Sequence, residues 1–114
     1  MNKLATLAAF LVASSLFAQV PASFSSRGIG GGGALFSPVF NPGNTSEYFV
    51  ACDMSELFHT TNSGQLYDQI HFTEFIGGHN SRMCYTALSG ARYSISYIND
   101  IGTPVQSADG GNTW

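Results

Sequence analysis

Ser107-Ala108-Asp109-Gly110-Gly111-Asn112-Thr113-Trp114 decides the fold, because the chain carries it twice. Moved back by 47 positions, it falls on Thr60-Thr61-Asn62-Ser63-Gly64-Gln65-Leu66-Tyr67, a worn copy of the same pattern. Both copies have a hydroxyl residue, a short acceptor side chain, a glycine and a terminal aromatic at matching places. The acceptor can bond nearby backbone N–H groups and hold a tight hairpin, and the glycine takes the positive φ. The aromatic is expected to pack back into the sheet. A period of about 40 to 50 residues with strand-like segments is the pattern of propeller blades.

The flanking segments agree with that reading. Residues 34–40, 47–52, 56–60 and 66–72 are short apolar or aromatic runs bounded by turn formers such as Asn41-Pro42-Gly43-Asn44, as strands should be. They predict one four-stranded blade over 30–75. The 47-residue overlay also brings Ile29-Gly30-Gly31 onto Ile76-Gly77-Gly78, Gly43 onto Gly90 and Asp53 onto Asp100. Residues 83–88, 93–98 and 104–108 then predict three strands of a second blade over 76–114. A further strand is expected after Trp114, so the fold class is an all-β propeller fragment with its second blade incomplete. Two blades cannot close a ring, and the remainder of its own propeller is the first partner this reading implies.

The beginning of the chain follows different rules. Lys3 precedes an uncharged apolar run, and Leu16-Phe17-Ala18 offers a small residue for cleavage before Gln19. This is the layout of a secretory signal peptide over 1–18. The run is short for a membrane span, which needs roughly 20 apolar residues. No membrane association is therefore expected after cleavage. Residues 19–29, with Pro21 and several serines, read as a flexible lead-in. The mature part keeps Arg27, Arg82 and Arg92 as its cations against seven Asp and Glu, a poor electrostatic match for nucleic acid. An oxidising compartment allows a disulfide between Cys52 and Cys84; two buried thiols are the other reading. Asn44-Thr45-Ser46 fits a glycosylation sequon, meaningful in a eukaryotic host.

The octapeptide Ser107 to Trp114 resembles an Asp-box, or BNR repeat, with Ser107, Asp109, Gly111, Thr113 and Trp114 at its defining positions. Such boxes mark propellers of sialidases, sortilin-type receptors, photosystem-assembly factors and xyloglucan-cleaving glycosidases. A second resemblance is narrower. The run Gly30-Gly31-Gly32-Gly33, then Asn41-Pro42, Tyr48-Phe49-Val50-Ala51-Cys52-Asp53 and Leu57-Phe58, is similar to the opening of xyloglucanase-type glycoside hydrolases. In that family the aspartate at this place is understood as the general base of an inverting reaction, so the resemblance implies that role for Asp53. The chain departs from the family after Asp53, with Met54-Ser55-Glu56 and Phe58-His59 where a small pair and an aromatic-basic pair are usual. The partner acid would lie in a second propeller, so this segment alone is expected to be inactive.

The residues leave Asp53 two readings. As a base it needs a second carboxylate about 6.5 to 9.5 Å away. As a structural residue it ends a strand and caps a turn, which the overlay of Asp100 supports. Glu56 is either its neighbour in acid/base work or a solvated loop acid. His59, His71 and His79 match no compact metal-ligand spacing, and no metal or cofactor is expected. The glycine run at 28–33 lacks the Lys-Ser/Thr of a phosphate loop. Residues 74–80 link the two blades, so Phe75, His79 and Asn80 are candidates to face a ligand, a polysaccharide or cell-surface glycan. The functional expectation is a secreted Asp-box propeller, a glycoside hydrolase in its full-length form or a non-catalytic module that binds a protein or glycan.

Overall fold

The computed structural model describes residues 22–26, residue 29 and residues 33–114. The predicted signal peptide, part of the lead-in and residues 30–32 lie outside the described residues. Within them all secondary structure is β: β1 (Leu35–Asn41), β2 (Asn44–Cys52), β3 (Leu57–Thr60), β4 (Asp68–Ile70), β5 (Cys84–Tyr85), β6 (Arg92–Ile98) and β7 (Ile101–Ser107). They form two antiparallel sheets, ordered β1-β2-β3-β4 and β5-β6-β7. Each predicted run carries one strand. Among the described residues, no helix is long and apolar enough to cross a membrane.

Turn chemistry sets the hairpins. Asn41 pairs with Asn44 around Pro42-Gly43, and Asn41 Oδ1 accepts the Gly43 N–H at 2.8 Å. Pro42 has no N–H to satisfy, so it fits this bend. Ile98 pairs with Ile101 across Asn99 and Asp100, whose φ values are 51° and 62°. Two consecutive left-handed residues make the turn that suits a two-residue hairpin, and Asn and Asp tolerate it better than most side chains. The short β5 has a local cause as well. Upstream of it, Ser81 Oγ donates to the Ile95 carbonyl (2.7 Å) and Ser94 Oγ donates to the Arg82 carbonyl (3.1 Å). Side chains there make bonds that a regular ladder would make through backbone.

The core lies between the sheets. Phe49, Ala51, Leu57 and Ile70 from the first sheet meet Phe75 and Met83, with Val39, Tyr85, Val105 and Trp114 at the margin. Val50 and Cys52, which point to the opposite face of β2, are also buried. A strand buried on both faces explains the unbroken apolar run from Tyr48 to Cys52. Cys52 lies beside Asp53, with its Sγ 3.6 Å from Asp53 Oδ1, whereas Cys84 is an exposed thiol. The two cysteines are not joined to each other, which corrects the disulfide reading.

The pairing also corrects the gapless overlay. Thr60 stands across from Tyr48, twelve positions back, but Ser107 stands across from Arg92, fifteen positions back. The β2–β3 hairpin has the longer turn, five residues between Ala51 and Leu57 against two between Ile98 and Ile101, but its ladder has four pairs against seven, so it is three residues shorter in all. When the repeated turns are superposed, Arg92 therefore matches Tyr48, and Val105, two before Ser107, matches Phe58. Val105 packs on the first sheet, while Phe58, paired with Val50, belongs to the face of the first sheet turned away from the core. The sheets thus pack head to tail, each offering a different face to the interface.

A polar seam accompanies this core. Glu47 Oε1 lies 3.4 Å from His59 Nε2 and 3.5 Å from an Arg92 terminal nitrogen, and Asn41 Nδ2 donates to Glu47 Oε2 at 2.6 Å. The His59 ring stacks flat on Phe49 at 3.9 Å, and Arg92 sits 4.5 Å over the Tyr85 ring. Burial pushes the His59 imidazole below its ordinary range; Glu47 and Asp68 pull it up, and Arg92 adds to the lowering. The folded state therefore favours neutral His59. Its contribution is whole above the unfolded value of about 6.5 and is lost as pH falls through the lower folded value. The melting temperature is expected to drop as pH falls below about 6.5, and His59→Gln should flatten that part of the profile. An unchanged slope in the variant would assign it to other groups.

Candidate functional site

One end of the two sheets gathers the chemistry. The β2–β3 turn (residues 53–56), the linker 76–80 and the β6–β7 turn (Asn99-Asp100) meet there around a cleft of about 440 Å³. Its polar lining is Asp53, Ser55, His79, Asn80, Asn99 and Asp100, with Tyr97 as the aromatic wall.

Backbone contacts fix this geometry. The Gly77 N–H donates to the Ser55 carbonyl at 2.7 Å, and a Cβ on Gly77 would stand 2.3 Å from the Glu56 carbonyl oxygen. A Cβ on Gly78 would meet the Tyr97 ring at 2.6 Å. The linker can run between the two turns only because both residues are glycine. The Tyr97 N–H then donates to the Ile76 carbonyl at 3.0 Å, which ties the linker to β6.

Side chains are held in turn by these elements. Asp53 follows β2; its N–H donates to the Ala34 carbonyl (3.1 Å), and its Oδ1 accepts the Ala34 N–H (2.8 Å). One carboxylate oxygen is thus committed to orienting the chain before β1. Asn80 Nδ2 donates to the Tyr97 hydroxyl at 3.2 Å. His79 lies with its ring 4.1 Å from that of Phe36, and its carbonyl accepts the Ser37 hydroxyl at 2.9 Å. The site is exposed, anionic and rich in groups that accept hydroxyl protons. It suits a polyhydroxylated ligand better than an apolar or anionic one.

The structure brings three of the candidates from sequence together: Asp53, His79 and Asn80. It removes the fourth. Phe75 is 1% exposed and packs against Trp114 with ring centroids 5.0 Å apart, so it belongs to the core and offers no face to a ligand. Sequence reasoning missed Ser55, Tyr97 and Asn99. It treated Asp100 only as the repeat mate of Asp53, yet the pairing register does not make them equivalent: Asp53 opens a long turn and Asp100 completes a two-residue hairpin turn. Their common position is a cleft, not a repeat position. The two other histidines are elsewhere, His59 in the seam and His71 beside Thr73 Oγ1 at 2.7 Å. No group of three or more His, Cys, Asp or Glu among the described residues is placed to hold a metal ion.

The repeated turns lie at the other end of the sheets, after β3 and after β7. The hydrogen bonds of the leading hydroxyl and of the acceptor Oδ1 correspond one for one. Thr60 Oγ1 donates to Asn62 Oδ1 (3.0 Å) and accepts the Gly64 N–H (3.1 Å); Ser107 Oγ donates to Asp109 Oδ1 (2.8 Å) and accepts the Gly111 N–H (2.8 Å). Asn62 Oδ1 then accepts the N–H groups of Gln65 and Leu66, as Asp109 Oδ1 accepts those of Asn112 and Thr113. Only the second turn adds a hydroxyl, from Thr113 to Asp109 Oδ2 at 2.7 Å. These bonds, led by the Thr113 N–H and hydroxyl and the Ser107 hydroxyl, hold the Asp109 carboxyl far below the usual carboxylate range. Ser107, Asp109, Gly111, Thr113 and Trp114 therefore serve the turn itself; the Trp114 indole N–H closes on the Gly111 carbonyl at 3.0 Å.

The chain matches no protein-family model, no curated protein and no solved structure.

Proposed function

We propose that this chain is part of a secreted Asp-box β-propeller and that its end cleft binds a polysaccharide. Two features support the propeller. The turn after the third strand recurs with the same bonds in both sheets. Head-to-tail packing is also the relation that successive blades need if the series is to continue around a ring. The observation that carries the function is the cleft, where Asp53, His79, Asn80 and Asp100 converge from three separate segments. Carboxylates and amides bond sugar hydroxyls, and Tyr97 and His79 add ring surface.

The test uses the full chain, coupled to a sensor surface at low density, with cello-oligosaccharides as probes. Asp53→Asn and Asn80→Ala are each expected to weaken binding about tenfold, the loss of one or two good hydrogen bonds. Full affinity in both variants would remove the cleft from the function.

Glycoside hydrolysis is the second reading, favoured by two carboxylates, Asp53 and Asp100, on one cleft. It ranks below binding because Asp53 Oδ1 is already engaged by Ala34. In the hydrolase reading, Asp53→Asn abolishes release of reducing ends from a β-glucan by the intact protein and leaves its melting temperature unchanged. Retained turnover would exclude Asp53 as the base.

A further inference from the structure

The β2–β3 turn has a second side. Behind it, Met54, Ser55, Glu56, Gln69, Ile70 and Phe72 line another cleft of about 350 Å³. Ser55 and Ile76 border both clefts, so the two are neighbours across a single wall. That wall is fixed by the bond from the Gly77 N–H to the Ser55 carbonyl and by the Cys52 N–H donating to the Glu56 carbonyl at 2.9 Å.

Glu56 is the residue that asks for a ligand. Its Oε2 is buried and has no hydrogen-bond partner among the described residues. Buried polar atoms are nearly always satisfied, and a carboxylate oxygen without a donor is costly to keep. At the same cleft Phe72 is 65% exposed, and Met54 is exposed beside it. A large aromatic left in solvent at the edge of a cleft, next to an unsatisfied acceptor and the Gln69 amide, has the composition of a sugar platform: a ring face for the apolar side of a pyranose, and an acceptor and an amide for its hydroxyls. The cleft volume falls in the range of small-molecule sites, roughly 300–1,000 Å³.

We propose that Glu56, Gln69 and Phe72 form a second sugar subsite, so that one oligosaccharide crosses the Ser55 wall and occupies both clefts. This rests on the polysaccharide reading of the first cleft and adds to it a demand for chain length. Glu56 and Phe72 bind the outer units, and Asp53, His79 and Asn80 bind the inner ones.

Cellobiose and cellohexaose, passed over the full chain at low surface density, test it. Cellohexaose is expected to bind at least tenfold more tightly than cellobiose. Glu56→Gln and Phe72→Ala should each weaken cellohexaose at least fivefold and leave cellobiose unchanged. Both variants should keep the parent melting temperature, because Phe72 is exposed and Gln preserves the shape of Glu56. Equal affinity for the two probes, or cellohexaose binding indifferent to both variants while Asn80→Ala weakens it, overturns the subsite and leaves the first cleft standing. Absence of binding by either probe overturns both readings. Glu56-dependent capture of a lysine-rich peptide in place of the sugars would make the cleft a protein-docking site and also overturn the proposal.

Discussion

Gly111→Ala is expected to cost about 2–6 kcal/mol of stability, the sum of two penalties. The backbone at Gly111 has φ 101°, where an L side chain is strained by about 1–3 kcal/mol. The new Cβ would also stand 2.5 Å from Phe49 Cζ and 2.9 Å from its Cε1. A surface phenylalanine could swing aside, but Phe49 is 1% exposed and stacked on His59, so the clash becomes core overpacking of about 1–3 kcal/mol. Against a typical total of about 5–15 kcal/mol, this removes much of the margin. Gly110→Ala supplies the control. Gly110 has φ 79° in the same turn, but its Cβ would meet nothing within 4 Å, so only the strain remains. Urea melts of both variants separate the two effects. Equal losses would show that Gly111 matters for φ alone and that the turn does not press on the neighbouring sheet.

That contact also shows how much of the fold could be seen in the residues. The strands were legible because each is a short apolar run closed by turn formers, and the repeated turn because its hydrogen bonds are local. Asp109 needs only Ser107, Asn112 and Thr113 to define its conformation. The contact of Gly111 with Phe49 was not legible, since it joins residues from different sheets. Nor was the register. An overlay without gaps preserves sequence distance, whereas sheets preserve pairing, and the two hairpins differ in both ladder and turn length, which breaks the correspondence. This is why Asp100 looked like the mate of Asp53. Of the candidate site, Asp53, His79 and Asn80 could be found from their place in turns and linker. Tyr97 could not, because nothing in its local sequence marks it. Its role depends on Gly78, which lets the linker approach the ring.

Phe75→Ala is the other substitution with a large expected effect, and it distinguishes a core residue from a ligand contact. Phe75 sits in the linker beside His79 and Asn80, which made it a candidate to face a sugar. The structure instead buries it with Phe49, Leu57, Ile70 and Met83, against the Trp114 ring. Its neighbour Glu74 takes the Trp114 N–H at 3.2 Å, so linker and repeated turn are joined at this point by a ring contact and a hydrogen bond. Truncating a buried phenylalanine costs about 3–5 kcal/mol, which in a domain of this size lowers the melting temperature by more than about 10 °C. Folded molecules of the variant should still bind cello-oligosaccharide with parent affinity at low temperature, because no part of the cleft is lost. Asn80→Ala should behave in the opposite way, with binding weakened and the melt unchanged. If Phe75→Ala instead weakened binding without moving the melt, the aromatic would be a ligand contact after all, and the packing of the linker onto the core would be wrong.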